Sequence, residues 1–216
     1  MTFASPNHGP RKGPAQPELI VIHYTAMPSC AAARARLCDP AAEVSAHWLI
    51  AEDGAVEQLV EEANRAWHAG AGAWAGRADV NSASIGIELA NSGDAPFPEP
   101  QMAALERLLR AIMDRWSIPA HRVIGHSDMA PERKRDPGPR FDWRRLALQG
   151  LAVWPGADGD AQAPLAASLK TIGYPDAAPD VLLSAFRLRF RPWGRGGEGV
   201  EDRAAAAALA RDYPAV

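Results

Sequence analysis

Only two cysteines occur in the 216 residues, Cys30 and Cys38, both within one Ala/Arg-rich stretch. Two cysteines make no disulfide framework, and their spacing makes no CxxC pair. Lysine is nearly as scarce: Lys12, Lys134 and Lys170 are the full set, so a site that calls for an ammonium group has few candidates. The formal net charge of −3 excludes the basic field of a nucleic-acid or membrane-surface binder. No apolar run approaches the roughly 20 residues of a membrane span. The N-terminus lacks the charge-then-apolar order of a secretory signal, because proline and polar residues precede the Arg11-Lys12 pair. A cytoplasmic location is therefore expected, with a periplasmic one as the alternative. What remains is ordinary globular composition, 47% hydrophobic and 23% charged, which excludes wholesale disorder.

Pro6, Pro10, Pro14 and Pro17 make residues 1–17 an irregular lead-in. Glu18 to Tyr24 (ELIVIHY) is rich in β-branched residues and reads as a buried strand, as does Ser84 to Leu89 (SIGIEL). The segments HWLIA (47–51) and VEQLV (56–60) flank an Asp53-Gly54 hairpin signal. Ser29–Leu37 reads as a helix. Glu99–Trp116 carries apolar residues at helical spacing from Met102 to Trp116. Val123-Ile124 is a short strand, residues 127–142 a proline-rich loop, and Trp143–Leu151 a final helix of this part. The pattern predicts an α/β fold, a mixed central β-sheet flanked by helices. A first domain is expected over 1–155 and a linker over 156–163, in the PGADGDAQAP stretch. A small three-helix domain follows over 164–216, with helices near 164–172, 179–190 and 202–212. So small a unit rarely supports its own core, so docking on the first domain is expected.

Three residues stand out together. His23 ends the first buried strand, His126 follows a second one after Gly125, and Asp136 lies ten residues beyond in the proline-rich loop. Two imidazoles and a carboxylate can bind a zinc ion and leave a fourth position open for water, as catalytic zinc sites do. Each alone also fits a structural role: a core histidine, a strand end, a turn residue before Pro137. Spacing alone does not join them, and no HExxH motif is present.

The strings VIHYTA (21–26), SAHWLI (45–50), AWHAG (66–70), NSASIGIEL (81–89) and VIGHSDMAPERKRDPG (123–138) occur in that order. Together they resemble the zinc-dependent N-acetylmuramoyl-L-alanine amidases of the AmpD/AmiD type, relatives of phage lysozyme-like amidases and peptidoglycan recognition proteins. The resemblance covers roughly residues 5–155. It implies a zinc site at one edge of the sheet, with His23, His126 and Asp136 as ligands. It also implies Glu88 as the catalytic carboxylate and Lys134 as the cation beside the metal. Glu88 interrupts an apolar strand, where an unpaired carboxylate is costly; its bland role is a buried arginine partner. The bland role of Lys134, between Arg133 and Arg135, is part of a solvated charge run.

The reaction implied is hydrolysis of the amide between N-acetylmuramic acid, or its 1,6-anhydro form, and L-alanine in peptidoglycan or muropeptides. The partners implied are such substrates, with no nucleic acid and no membrane span. His47, His68 and Asn81 are weaker candidates for substrate contact, each equally open to a supporting role. Trp48, Trp67 and Trp74 are candidates to stack on sugar, at least one being expected in the core. Cys30, Cys38, His8 and His121 receive no role. Residues 164–216 resemble the three-helix peptidoglycan-binding module of AmiD-type amidases. Arg187, Arg189, Arg191 and Arg195 are then either wall contacts or a solvated helix end. A non-catalytic peptidoglycan-recognition protein on the same scaffold is the competing function; loss of a ligand would favour it, and none is lost here.

Overall fold

A computed structural model describes residues 3–13 and 16–215. Its strands are β1 (His8–Pro10), β2 (Leu19–Tyr24), β3 (Trp48–Ile50), β4 (Val56–Gln58), β5 (Asn64–Ala66), β6 (Ser84–Leu89) and β7 (Val123–Gly125). Five of them form the central sheet in the order β4-β3-β6-β2-β7. The pairs β2/β6, β2/β7 and β3/β6 are parallel and β3/β4 is antiparallel, so the sheet is mixed, as expected. The antiparallel pair is the Asp53-Gly54 hairpin. Gly54 has φ +87°, and a Cβ there would lie 2.6 Å from the Pro100 carbonyl oxygen, so conformation and space both require glycine.

The helices are α1 (Cys30–Leu37), α2 (Val80–Ala83), α3 (Glu99–Trp116), α4 (His126–Met129), α5 (Trp143–Leu148), α6 (Leu165–Ile172), α7 (Pro179–Phe190) and α8 (Val200–Asp212). Ser29 caps α1 by accepting the Ala32 N–H at 3.2 Å. That helix buries Cys30, Ala33 and Leu37 against Leu49 and Leu59. Burial there pushes the Cys30 thiol up to about 11, which suits an inert packing residue.

Two expectations are corrected. The lead-in is not wholly irregular: His8–Pro10 pairs antiparallel with Asn64–Ala66, and proline is tolerated because this ribbon is all edge. Pro14 lies outside the described residues. The stretch expected as a loop over 127–142 begins within α4, a single helical turn too short to show a period.

Strand β2 is buried on both faces, which is why it reads as an unbroken apolar run. Ile20 and Ile22, with Ile85 and Ile87 of β6, meet the stripe Met102, Leu105, Leu109 and Ile112 of α3, together with Trp143 of α5. Leu19, Val21 and Ile124 face the other way, into one cluster with Leu169, Phe186, Phe190 and Leu209 of α6, α7 and α8. Residues 155–164 run along α8: Arg203 Nε donates to the Ala161 carbonyl at 2.7 Å. A Cβ on Gly159 would collide with the Ala204 carbonyl, 1.8 Å away. Of the four arginines considered for the wall, three are engaged within the chain. Arg187 and Arg191 pair with Asp202, each at 2.5 Å, and Arg189 with Asp128 at 2.7 Å. Arg195 remains exposed.

Candidate metal centre and cleft

The side-chain alternation that buries Ile20 and Ile22 on one face and Val21 on the other puts His23 on the Val21 face, near the end of β2. Glu88 is its partner in register on β6, and cross-strand partners share a face. His126 opens α4 directly after β7, and the loop beyond returns so that Ser127 N–H donates to the Asp136 carbonyl at 2.9 Å. The site thus lies at the carboxyl ends of three parallel strands, where open α/β sheets place their sites.

His23 Nδ1 and His126 Nδ1 are 2.9 Å apart, and Asp136 Oδ2 is 3.0 Å from each. All three residues are buried. The tautomers follow from the second ring nitrogens. His126 Nε2 is 2.9 Å from the Ala69 carbonyl, which only accepts, so Nε2 carries the proton. For His23 the logic runs through two further residues. Ser84 donates its hydroxyl hydrogen to the Val80 carbonyl at 2.6 Å and so accepts from His68 Nε2 at 3.1 Å. His68 Nδ1 is therefore bare and accepts from His23 Nε2 at 3.0 Å. Both Nδ1 atoms are left as bare lone pairs facing a carboxylate oxygen. Three acceptors converging with no proton among them repel one another unless a cation sits between them, so this donor set fits a metal ion.

The electrostatics agree. Burial, with His126 close by, pulls His23 down to about 4, so it is neutral and able to ligate at pH 7. Burial, reinforced by Asp136 and opposed by Lys134, pushes Glu88 up to about 8. Glu88 Oε2 is sealed from solvent and has no hydrogen-bond partner among the described residues. Such an orphaned carboxylate oxygen is costly unless a cation or a proton relieves it.

A cleft of about 460 Å³ opens over these groups, with Thr25, Trp67, His68, Glu88, Lys134 and Arg135 among its walls. His68 lines it only in part: it is 9% exposed, and its ring nitrogens are committed to His23 and Ser84. His47 and Asn81 are turned inward. His47 accepts the Gly86 N–H at 2.9 Å and donates to the Asn64 carbonyl at 3.1 Å. Asn81 Oδ1 accepts the N–H groups of His68 and Ala69 at 3.0 and 2.8 Å, holding the loop that carries both. Of the three tryptophans, Trp67 lines the cleft, Trp74 is in the core, and Trp48 Nε1 donates to Glu62 at 2.9 Å. Ser84 and Gly86 carry no signal in the sequence for their part in the site, which comes from contact with His68. A Cβ on Gly86 would lie 2.4 Å from the His68 ring, so glycine there makes room for it.

A buried His/His/Asp acceptor set beneath an open cleft, beside an unpaired carboxylate at strand ends, could hold one metal ion in the manner of mononuclear metalloenzymes. Residues 13–139 match the family model for N-acetylmuramoyl-L-alanine amidase, and the chain belongs to that family. It is 37% identical to the N-acetylmuramoyl-L-alanine amidase AmiD of Escherichia coli, in a match covering 91% of this chain and 83% of AmiD. It is also 37% identical over 159 residues to the 1,6-anhydro-N-acetylmuramyl-L-alanine amidase AmpD of Enterobacter cloacae. That match covers 66% of this chain and 85% of AmpD. The fold superposes with a TM-score of 0.82 on E. coli AmiD in complex with anhydro-N-acetylmuramic acid-L-Ala-D-γ-Glu-L-Lys, at 35% identity over 93% of this chain and 91% of that one. It superposes with a TM-score of 0.84 on AmpDH3 from Pseudomonas aeruginosa, at 31% identity over 94% of each chain.

Proposed function

We propose that this chain is a zinc amidase that hydrolyses the bond between the lactyl carbonyl of N-acetylmuramic acid and the amine of L-alanine. The observation that carries the reading is the convergence of two bare imidazole nitrogens and a carboxylate oxygen next to Glu88. His23, His126 and Asp136 would hold the ion. A bound zinc ion supplies Lewis acidity, which activates water near neutral pH and polarises the amide carbonyl. Glu88 takes a proton from the attacking water and hands it to the leaving nitrogen. Its raised affinity for a proton suits delivery, and the neighbouring positive charge of Lys134 favours the ionised form needed for uptake. Lys134, on the cleft wall, sets a positive charge against the oxyanion that develops on the carbonyl. His68 and Ser84 fix the His23 tautomer and leave its Nδ1 free. Relatives named for muramyl and for anhydro-muramyl substrates are each 37% identical to this chain, so both sugar forms are substrates to assay.

For wall material, a second groove of about 480 Å³, lined by Pro139, Leu183 and Arg195 among others, shares Arg135 with the cleft. We assign it to the continuation of a polymeric, anionic substrate. Digestion of anhydro-muropeptide, reduced muropeptide and intact sacculi, with products identified by mass, tests the reading. Release of a free peptide with N-terminal L-alanine is expected. Cleavage at a sugar or a peptide bond instead would overturn it.

A further inference from the structure

The Asp128 carboxylate is buried two residues after His126, on the same single-turn helix. Its Oδ2 accepts the Gly125 N–H at 2.8 Å and Arg189 Nη1 at 2.7 Å. Its Oδ1 accepts the Tyr174 hydroxyl at 2.5 Å. Gly125 is local, but Arg189 is on α7 and Tyr174 follows α6, both beyond the segment 13–139 that matches the amidase family. Arg189 is itself held. It donates to the Val123 carbonyl of β7 at 2.9 Å, and its guanidinium carbon lies 4.3 Å from the centre of a Trp143 ring. The two side chains of the pair are 3% and 1% exposed.

Stability alone is a weak reason for this pair. Taking both charges out of water costs as much as their attraction returns, and apolar groups of the same size usually serve as well. Arg189 Nε is in addition left without a partner among the described residues. What the pair does is fix one backbone group. Asp128 is the third residue of α4, and it caps the helix by holding the N–H of Gly125, the residue immediately before His126. Gly125 has no room to shift, since even a Cβ would lie 2.9 Å from Pro137. The direction of the His126 ring is therefore set by a turn whose clamp is completed from the C-terminal helices.

We propose that Arg189 and Tyr174 are positioning residues for the metal centre. Acting through Asp128, they hold α4 so that His126 Nδ1 points at the ion, and this chain's metal affinity then depends on its C-terminal helices. The inference rests on the metal site proposed above. Outer partners of metal ligands typically tune affinity by about 10- to 100-fold.

The test is zinc affinity of the full chain, read by competition with a chromogenic chelator, together with the visible spectrum of the cobalt-loaded protein. Variants are Tyr174→Phe, Arg189→Met and Asp128→Asn, with Arg187→Met as control because Arg187 pairs with Asp202 inside the C-terminal helices. Tyr174→Phe and Arg189→Met are expected to weaken zinc binding by about 10-fold or more and to change the cobalt spectrum. In the Asp128→Asn background, Tyr174→Phe should add little, because its route is already broken. Arg187→Met is expected to lower the melting temperature while zinc affinity stays at the wild-type value. A purely structural role would make Tyr174→Phe and Arg189→Met behave like Arg187→Met. Should Arg189→Met fail to fold, Tyr174→Phe, which removes a single hydroxyl, decides the matter. Wild-type zinc affinity and spectrum in folded Tyr174→Phe would overturn the proposal. A wild-type chain that binds no zinc would instead overturn the metal site itself.

Discussion

Glu88 is the residue on which the proposed chemistry turns. It sits among apolar neighbours on β6, shares a register position with the proposed ligand His23, and has one oxygen unpaired among the described residues. Glu88→Gln keeps the shape and removes the proton acceptor. It should retain zinc and lose turnover by about 100-fold or more, the usual scale for general acid–base catalysis. Near-normal turnover in the glutamine variant would reject the assignment. The buried histidines make a second prediction, for the metal-free protein. Burial pulls His23 to about 4 and His47 to about 3 from the ordinary 6.5, and it lowers His68 as well. Below pH 6.5 the unfolded chain therefore binds more protons than the native one, so acid lowers stability through these groups. Glu88 acts in the opposite sense: held near 8 in the fold, it keeps a proton that the unfolded chain releases above about 4.5, so stability declines as pH rises toward 8. Below 6.5 the lowered histidines, His121 among them, outweigh Glu88, whose effect dominates from there to pH 8. Thermal melts of chelated protein should show greatest stability near pH 6.5 to 7. A melting temperature that climbs steadily from pH 6 to pH 8 would contradict this.

At the scale of elements, β6 does two jobs, since Ser84 and Gly86 on it support His68 while Glu88 faces the cleft. Gly86→Ala should cost about 1–3 kcal/mol, the usual range for overpacking. It should also weaken zinc binding by displacing the His68 ring, and a variant with unchanged melting temperature and metal affinity would refute the packing argument. Elements of this kind differ in how visible they are to a reader of sequence. The α3 helix shows its stripe over five turns, and β2 and β6 their β-branched runs, so their bounds are legible. β1 is not, because three residues ending in proline pair with a segment more than fifty positions away. α4 is one turn long and presents no period. The ligands and Glu88 stand out through motif strings. Ser84, Asp128, Tyr174 and Arg189 do not, because their roles exist only in contacts that folding creates. The arginines near α7 illustrate the limit: a charged stretch looks solvated until Asp202 and Asp128 are seen to absorb three of its members.

For the whole molecule, the question is what the C-terminal helices contribute. Leu19, Val21 and Ile124 of the sheet share a cluster with Leu169, Phe186 and Phe190. A chain ending near residue 156 would expose that face. It should lose thermal stability and bind zinc more weakly, so that both substrates suffer, and polymeric material suffers more because the groove lined by Leu183 and Arg195 goes with the helices. Full stability with selective loss on sacculi would mean that these helices serve wall binding alone. The central claim, however, is that amide cleavage requires one metal ion held by His23, His126 and Asp136. The most direct measurement is a zinc titration of chelated, full-length protein, following bound metal by elemental analysis and release of L-alanyl peptide from a muropeptide by mass. Activity should rise in proportion to zinc and level off at about one ion per chain, as three protein ligands with one open position predict. Full peptide release from protein verified to contain no metal would contradict it.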